Sequence, residues 1–300
     1  MRTTRIDDPV EFADRITALL LPHEARNDLI LGIAGVLADD PTSYPEHHAW
    51  LVEDDEGAPV TAALLTPPRN LVLADPGPES YPGDDGAEAI ATLVEGVIAD
   101  GTEVPGVVGN RPGVDSFAAA WTAATGTTAE VTMHLGMFAL DEVRAGAGTA
   151  AGTWRPAGAS DRDLVTAWWQ AFYDEALPAS RQEPADIARE VDATLKAPAG
   201  GVGLWEIDGV AVAMCSWGRP TRSGIRIGHV YTPPELRGRG AASALVAAGS
   251  GWLLDQGHRF CSLSTDLANP TSNAIYRRIG YRQIAESVEI SFRQPEGRTR

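Results

Sequence analysis

Apolar positions recur at helical spacing along Val10–Leu21 and Asn27–Leu37, then shorten to strand-length runs at His48–Glu53, Val60–Thr66 and Leu71–Ala74. The turn DDEGA between the first two runs predicts a hairpin. Ala87–Asp100 reads as a helix, Gly106–Gly109 as a short strand, Val114–Ala124 as a helix and Glu130–Leu140 as a strand. Small residues then dominate Arg144–Trp154, RAGAGTAAGTW, and the pattern begins again. Ser160 is the expected cap of a helix with Asp161 and Asp163 in its first turn and Leu164, Val165, Trp168, Trp169 and Phe172 on its apolar face. Leu204–Ile207 is a strand that turns at Asp208-Gly209, a hairpin signal, into a strand around Met214–Arg219. A strand in Ile225–Thr232, an Ala-rich helix and a strand Phe260–Leu267 follow. Asn269 then caps a short helix with Pro270 at its first position and Ile275 and Ile279 as a stripe. Gly280 closes that helix, and a last strand starts at Tyr281. The order β-β-β-α-β-α-β of the first half returns in the second. This predicts an α/β (α+β) chain of two domains, 1–143 and 155–300, joined by a linker at 144–154, as 300 residues allow.

Candidate chemistry concentrates in Ile225–Ala248, IRIGHVYTPPELRGRGAASALVAA. A strand, a Pro-Pro break and a glycine-punctuated turn at a helix N-terminus direct free backbone N–H groups and the positive end of the helix dipole outward, as a diphosphate requires. A Walker loop is excluded, because no lysine follows the turn and Lys196 is the only lysine in the chain. The dinucleotide fingerprint is excluded as well. Ser243 stands where its third glycine belongs, and Asp255, the nearest acid in range, falls in a helical region. Arg237, Gly240 and Ala242 instead fit Arg/Gln-x-x-Gly-x-Gly/Ala. Asn269, Ser272, Tyr276, Gly280 and Tyr281 fit Asn-x-x-(Ser/Ala)-x-x-x-Tyr-x-x-x-Gly-(Phe/Tyr) downstream. In these two motifs the chain resembles the GNAT acyltransferase superfamily, over roughly Trp154–Phe292, about half its length.

The resemblance implies two GNAT-like units, each a mixed, mostly antiparallel twisted sheet flanked by helices. It implies acetyl-CoA as co-substrate, no metal, and direct attack of a primary amine on the thioester in a ternary complex. Backbone N–H groups from Gly238 through Arg239, Gly240, Ala241 and Ala242 to Ser243 would hold the pyrophosphate, with the Arg237 and Arg239 side chains adding charge. The strand end Val230, Tyr231 and Thr232 would pair with the pantetheine amides, and one of its N–H groups would polarise the thioester carbonyl. Asn269, with Ser272 beside it, would contact the pantetheine arm, and Tyr276 would protonate the departing thiolate. Some relatives place a basic glutamate eleven residues before the turn motif, but this chain has Arg226 there. His229, Glu206, Asp266 or an ordered water stay open as the base, with Asp208 accounted for by its turn. The first half lacks the loop: ADPGPESYPGDDGAEAI is acidic, and Phe117 and Trp121 hold the aromatic positions of its last helix. It reads as a degenerate unit.

Charge supports this division. Residues 1–154 hold seven of the 24 basic and 25 of the 41 acidic residues, a net of −18, whereas residues 155–300 stand at +1. This balance fits an anionic ligand in the second half and argues against nucleic acid. No apolar run nears 18 residues and the N-terminus has no signal-like core, so a cytoplasmic protein with no membrane partner is expected, as a monomer or homodimer. Cys215 and Cys261 read as small buried hydrophobes. The acceptor should be a small-molecule amine lined by Trp168–Ala188 and Met214–Arg219, where Glu175, Glu183 and Asp186 could attract a cation. Small amines, amino acids, aminoglycoside-like antibiotics and a protein N-terminus are all compatible. The alternative to an enzyme is a non-catalytic acyl-CoA-binding or assembly module.

Overall fold

The computed structural model describes residues 1–77, 80–81, 83–176 and 182–294. Over these residues the chain forms two compact units. The first holds Met1–Met137, Thr265–Ala268 and residues 283–294, and the second holds Phe138–Ser264 and Asn269–Arg282. Both are mixed α/β, with a mostly antiparallel sheet flanked by helices.

In chain order the first unit contains β1 (Arg2–Arg5), α1 (Pro9–Leu20), α2 (Asp28–Asp39), β2 (His48–Glu53), β3 (Pro59–Leu65), β4 (Leu71–Leu73), α3 (Asp84–Ala99), β5 (Gly106–Asn110), α4 (Gly113–Thr125) and most of β6 (Thr128–Leu140). The helix α1 starts where it does because Asp8 accepts the N–H of Val10 at 2.8 Å and Pro9 needs no partner at the first position. It buries Phe12, Ile16 and Leu20 against α2 and one face of the sheet, with Leu51, Ala62, Leu64 and Val72 beneath. Trp50, Val52, Ala63, Leu65 and Leu71 face the other way, onto α3 and α4. Strands buried on both faces explain why these runs read as continuously apolar rather than alternating. Periodicity does not reveal the short edge strand β1, since only its backbone ladder to β2 defines it.

The second unit contains β7 (Thr153–Pro156), α5 (Arg162–Ala176), α6 (Pro184–Lys196), β8 (Gly201–Ile207), β9 (Val210–Gly218), β10 (Gly224–Tyr231), α7 (Ala241–Asp255), β11 (Phe260–Asp266, its last two residues counted with the first unit) and α8 (Pro270–Ile279). Its strands run in the order β11-β10-β9-β8-β7. Asp208 (φ 52°) and Gly209 (φ 76°) make the expected tight turn between β8 and β9. Ser160 is not the cap. It lies in a one-turn helix, Ala159–Asp161, and the Asp161 carboxylate takes the Gly158 N–H instead. The helix α6, which the apolar pattern does not reveal, starts at Pro184 and buries only Ile187 and Val191.

The last strand, β12 (Arg282–Arg293), follows α8 in sequence yet pairs antiparallel with β5, from Ser287↔Asn110 to Ser291↔Gly106. A boundary drawn through 144–154 assigns this strand to the second domain, whereas its packing belongs to the first unit. Val288 and Ile290 complete that unit's core, and Phe292 stacks on Trp121 at 5.7 Å. Cys215 and Cys261 are buried and free, as expected. Burial pushes both thiols up to about 12, which keeps them protonated and inert. Among the described residues no helix is long and apolar enough to cross a membrane, and no group of side chains is arranged to hold a metal ion.

Candidate functional site

Parallel pairing of β10 with β11 runs from Gly224↔Phe260 to Arg226↔Ser262 and stops there, although β10 continues to Tyr231 and β11 to Asp266. On its other side β10 stays paired with β9, with an irregularity between Gly228 and Tyr231 where His229 takes a left-handed φ of 45°. Val230 and Tyr231 therefore present a strand edge that β11 does not fill. Thr232 follows, its hydroxyl buried and without a hydrogen-bond partner among the described residues.

The turn comes next. Gly238 (φ 77°) and Gly240 (φ 81°) need the left-handed conformation that glycine adopts without strain. Among the described residues a Cβ at Gly238 would meet nothing within 4 Å, so they leave the turn open. Gly240 precedes α7 with no side-chain cap among the described residues, leaving the N–H groups of Ala241, Ala242 and Ser243 to an outside acceptor. Arg239 is exposed beside them. Arg237 is engaged: its Nε donates to the Thr232 carbonyl at 2.8 Å and its Nη2 to Glu175 Oε2 at 2.6 Å. Glu175 also accepts from the Tyr231 hydroxyl at 3.2 Å, so one carboxylate ties α5 to both the strand end and the turn. The sequence offers no sign of this contact across 62 residues.

On α8, Asn269 caps as expected, its Oδ1 accepting the Ser272 N–H at 3.1 Å. Tyr276 is buried on the same helix and meets Tyr281 edge-on at 5.9 Å. Burial, reinforced by the Cys215 thiol, raises its hydroxyl above the usual tyrosine range, so the proton stays on.

Residues 162–281 match the acetyltransferase (GNAT) family. This segment is a GNAT domain. No curated protein matches the chain. Solved structures similar to the whole chain include a Drosophila protein (13% identity, TM-score 0.65, 97% of this chain and 98% of that one). A GCN5-related N-acetyltransferase from Sphaerobacter thermophilus is 19% identical, with TM-score 0.62 over 98% and 96%. A tandem GNAT protein from the clavulanic acid biosynthesis pathway is 16% identical, with TM-score 0.58 over 98% and 100%. At these identities the likeness establishes the fold of the full length.

Within the GNAT domain the candidate bases are occupied elsewhere. Glu206 pairs with Arg155 at 2.7 Å, and Asp208 turns the hairpin. Asp266 holds the Ala268 N–H at 2.8 Å in a segment counted with the first unit. His229 stacks on Trp169 with ring centroids 3.8 Å apart, touches Phe172 edge-on at 5.1 Å and shares a 2.9 Å hydrogen bond between its Nδ1 and Ser216. Desolvation, then Arg219 and Arg226, drive the imidazole down to about 3. A ring that resists protonation so strongly is a poor acceptor for an ammonium proton. Of the acids expected to attract a cation, Glu175 is taken by Arg237 and Asp186 by Arg189. Residues 177–181 of the expected acceptor wall lie outside the described residues.

The corresponding place in the first unit is filled from within. β4 pairs in parallel with β5 at Leu71↔Val107 and Val72↔Val108. Just beyond, Asp75 Oδ2 takes Arg26 Nη2 at 2.6 Å and Asn110 Nδ2 at 2.9 Å, and Asn27 brackets the Asp75 backbone from both sides. At the helix start, Asp84 and Asp85 stand in the first turn of α3, and a Cβ at Gly86 would lie 2.6 Å from the Tyr81 Cα.

Proposed function

We propose that the chain transfers an acetyl (acyl) group from acetyl-CoA to a primary amine by direct attack in a ternary complex, using the second unit alone. The observation that carries this reading is the parting of β10 from β11 directly ahead of an open, uncapped turn. An extended amide-bearing arm fits the free strand edge and a diphosphate fits the helix N-terminus. The buried Thr232 hydroxyl, unpartnered among the described residues, and the space that those residues leave open at Gly238 favour a ligand here. The N–H groups of residues 238–243 bind the diphosphate, with Arg239 beside it. Arg237 pins the turn to Thr232. Asn269 and Ser272 start α8 next to the arm, and Tyr276 carries the proton that the leaving thiolate takes up.

The first unit is read as a partner without a ligand of its own. Arg26, Asn27, Asp75 and Asn110 fill its strand ends, and two carboxylates at the α3 N-terminus oppose a phosphate. The test is calorimetric titration with acetyl-CoA of the intact chain and of Gly240→Glu, followed by thiol release with an amine panel. One site per chain, lost in the variant, is expected. Two sites would overturn the reading of the first unit, and no binding would remove acyl transfer altogether. Binding without thiol release would favour the acyl-CoA-binding module.

A further inference from the structure

The slot that β11 leaves along β10 is shallow. The ladder joining the two strands holds as far as Arg226↔Ser262, and the free edge starts at Val230. Between them lie Ile227, Gly228 and His229, a span of about 10 Å at about 3.3 Å per residue. Ile227 is buried, but Gly228, His229 and Val230 each keep part of their surface accessible. A strand paired on both sides and covered on both faces loses that surface, so the slot runs inward as far as these three residues. The turn gives its direction. With a diphosphate at residues 238–243 and an amide-bearing arm along Thr232 to Val230, the far end of the ligand arrives at His229 and Gly228.

His229 closes that end. Its ring stacks on Trp169 with centroids 3.8 Å apart, meets Phe172 edge-on at 5.1 Å and lies 5.8 Å from the Tyr173 ring. Its Nδ1 shares the 2.9 Å hydrogen bond with Ser216 Oγ, and Ser216 stands opposite Gly228. Trp169 is 1% exposed and packs in one core with Val165, Leu204 and Met214, so the ring rests on a backing that yields little. The backbone is fixed as well, since His229 holds its left-handed φ of 45° within the irregularity of the β10–β9 ladder. Backbone this sparsely populated persists only where its surroundings over-determine it, and such positions cluster at ligand sites. The imidazole stays neutral down to about 3 and so presents an uncharged face to the slot. Gly228 has no side chain, which leaves the His229 ring as the bulk that β10 sets at this end.

We infer that His229 sets the acyl-chain length, its ring ending the slot so that the acyl group of the co-substrate is held to acetyl size. The inference rests on the acyl-transfer reading of the same site. It adds what the turn and the strand edge leave open, because both hold parts of the ligand common to every acyl-CoA. A chain longer by two methylenes has to displace the imidazole, at the cost of its stacking on Trp169 and its bond to Ser216, or fold back out of the slot. Glycine at 229 accepts the left-handed φ, removes the ring and opens room for those methylenes. Asparagine also tolerates that φ and is smaller than the ring, while it keeps a polar group for Ser216.

The experiment measures by calorimetry the affinity of acetyl-, butyryl- and hexanoyl-CoA for wild type, His229→Asn and His229→Gly, with no amine present. Wild-type affinity is expected to fall by about 10-fold or more from acetyl- to butyryl-CoA, and further to hexanoyl-CoA. In His229→Gly the affinity for butyryl-CoA relative to acetyl-CoA should rise by about 10-fold, the worth of two methylenes buried instead of excluded, with His229→Asn in between. The readout is a ratio within one protein, so a general loss of stability in a variant does not imitate it. Hexanoyl-CoA held by wild type as tightly as acetyl-CoA, or one ratio shared by all three proteins, would overturn the inference and leave the co-substrate reading standing. If His229→Gly alone binds nothing, the ratio in His229→Asn decides. Loss of all binding in both variants would also overturn the inference, since it would mark His229 as support for the whole site and not as its end. Failure of wild type to bind any acyl-CoA would sink the reading beneath it.

Discussion

His229→Asn should abolish a specific part of the protein's acid sensitivity. In the folded chain His229 is neutral down to about 3, first because it is desolvated against Trp169 and then because Arg219 and Arg226 repel its proton. In the unfolded chain it titrates at its ordinary 6.5. The folded value is the depressed one. Above pH 6.5 both states are neutral and the residue exacts no penalty. As the pH falls from 6.5 towards 3, the unfolded state gains a proton that the folded state refuses, and stability is lost. At pH 5 the difference spans 1.5 units below the ordinary value, which at about 1.36 kcal/mol per unit is about 2 kcal/mol. Asparagine tolerates the left-handed φ of 45° and does not titrate. Urea unfolding at about pH 7.5 and about pH 5 should therefore show wild type losing about 2 kcal/mol more than the variant. Tryptophan fluorescence reports on the relevant unit, because six of the eight tryptophans lie in it. Equal losses in the two proteins, or a His229 resonance titrating near 6.5, would refute the reasoning and restore His229 as a candidate base.

Tyr276→Phe removes a hydroxyl and leaves the ring that packs against Tyr281. If it is the proton donor, thiol release falls by about 10²- to 10⁴-fold while calorimetric acetyl-CoA affinity holds; unchanged turnover would return Tyr276 to a packing role. Asp75→Ala leaves the Arg26 guanidinium without its carboxylate inside the first unit, at a cost of about 3–5 kcal/mol in urea unfolding. Acetyl-CoA affinity should not change, and a new binding stoichiometry would show that the filled strand ends had been a closed ligand site.

Features legible in the chain alone are local. Asn269-Pro270 starts α8, Asp208-Gly209 turns β8 into β9, and Gly238 and Gly240 open the turn before α7, because in each case the residues that decide the conformation are adjacent in the chain. Motif spacing likewise points to the GNAT domain without any geometry. Packing, by contrast, sets which distant partners these elements meet. Alternation shows that β12 has an apolar face but carries no label for β5, so its place in the first unit emerges only from pairing. Ser160 has the chemistry of a cap, yet Asp161 is the residue that holds the Gly158 N–H. Glu175 is an ordinary helix acid in the sequence, and folding sets it on Arg237 and Tyr231. Arg219, Arg226 and His229 come from one strand and the loop that leads into it, and register against β9 and β11 decides what lies beside them. Caps and turns are written in a few consecutive residues, whereas strand partners and the charges around a site depend on long-range packing that no short stretch of chain specifies.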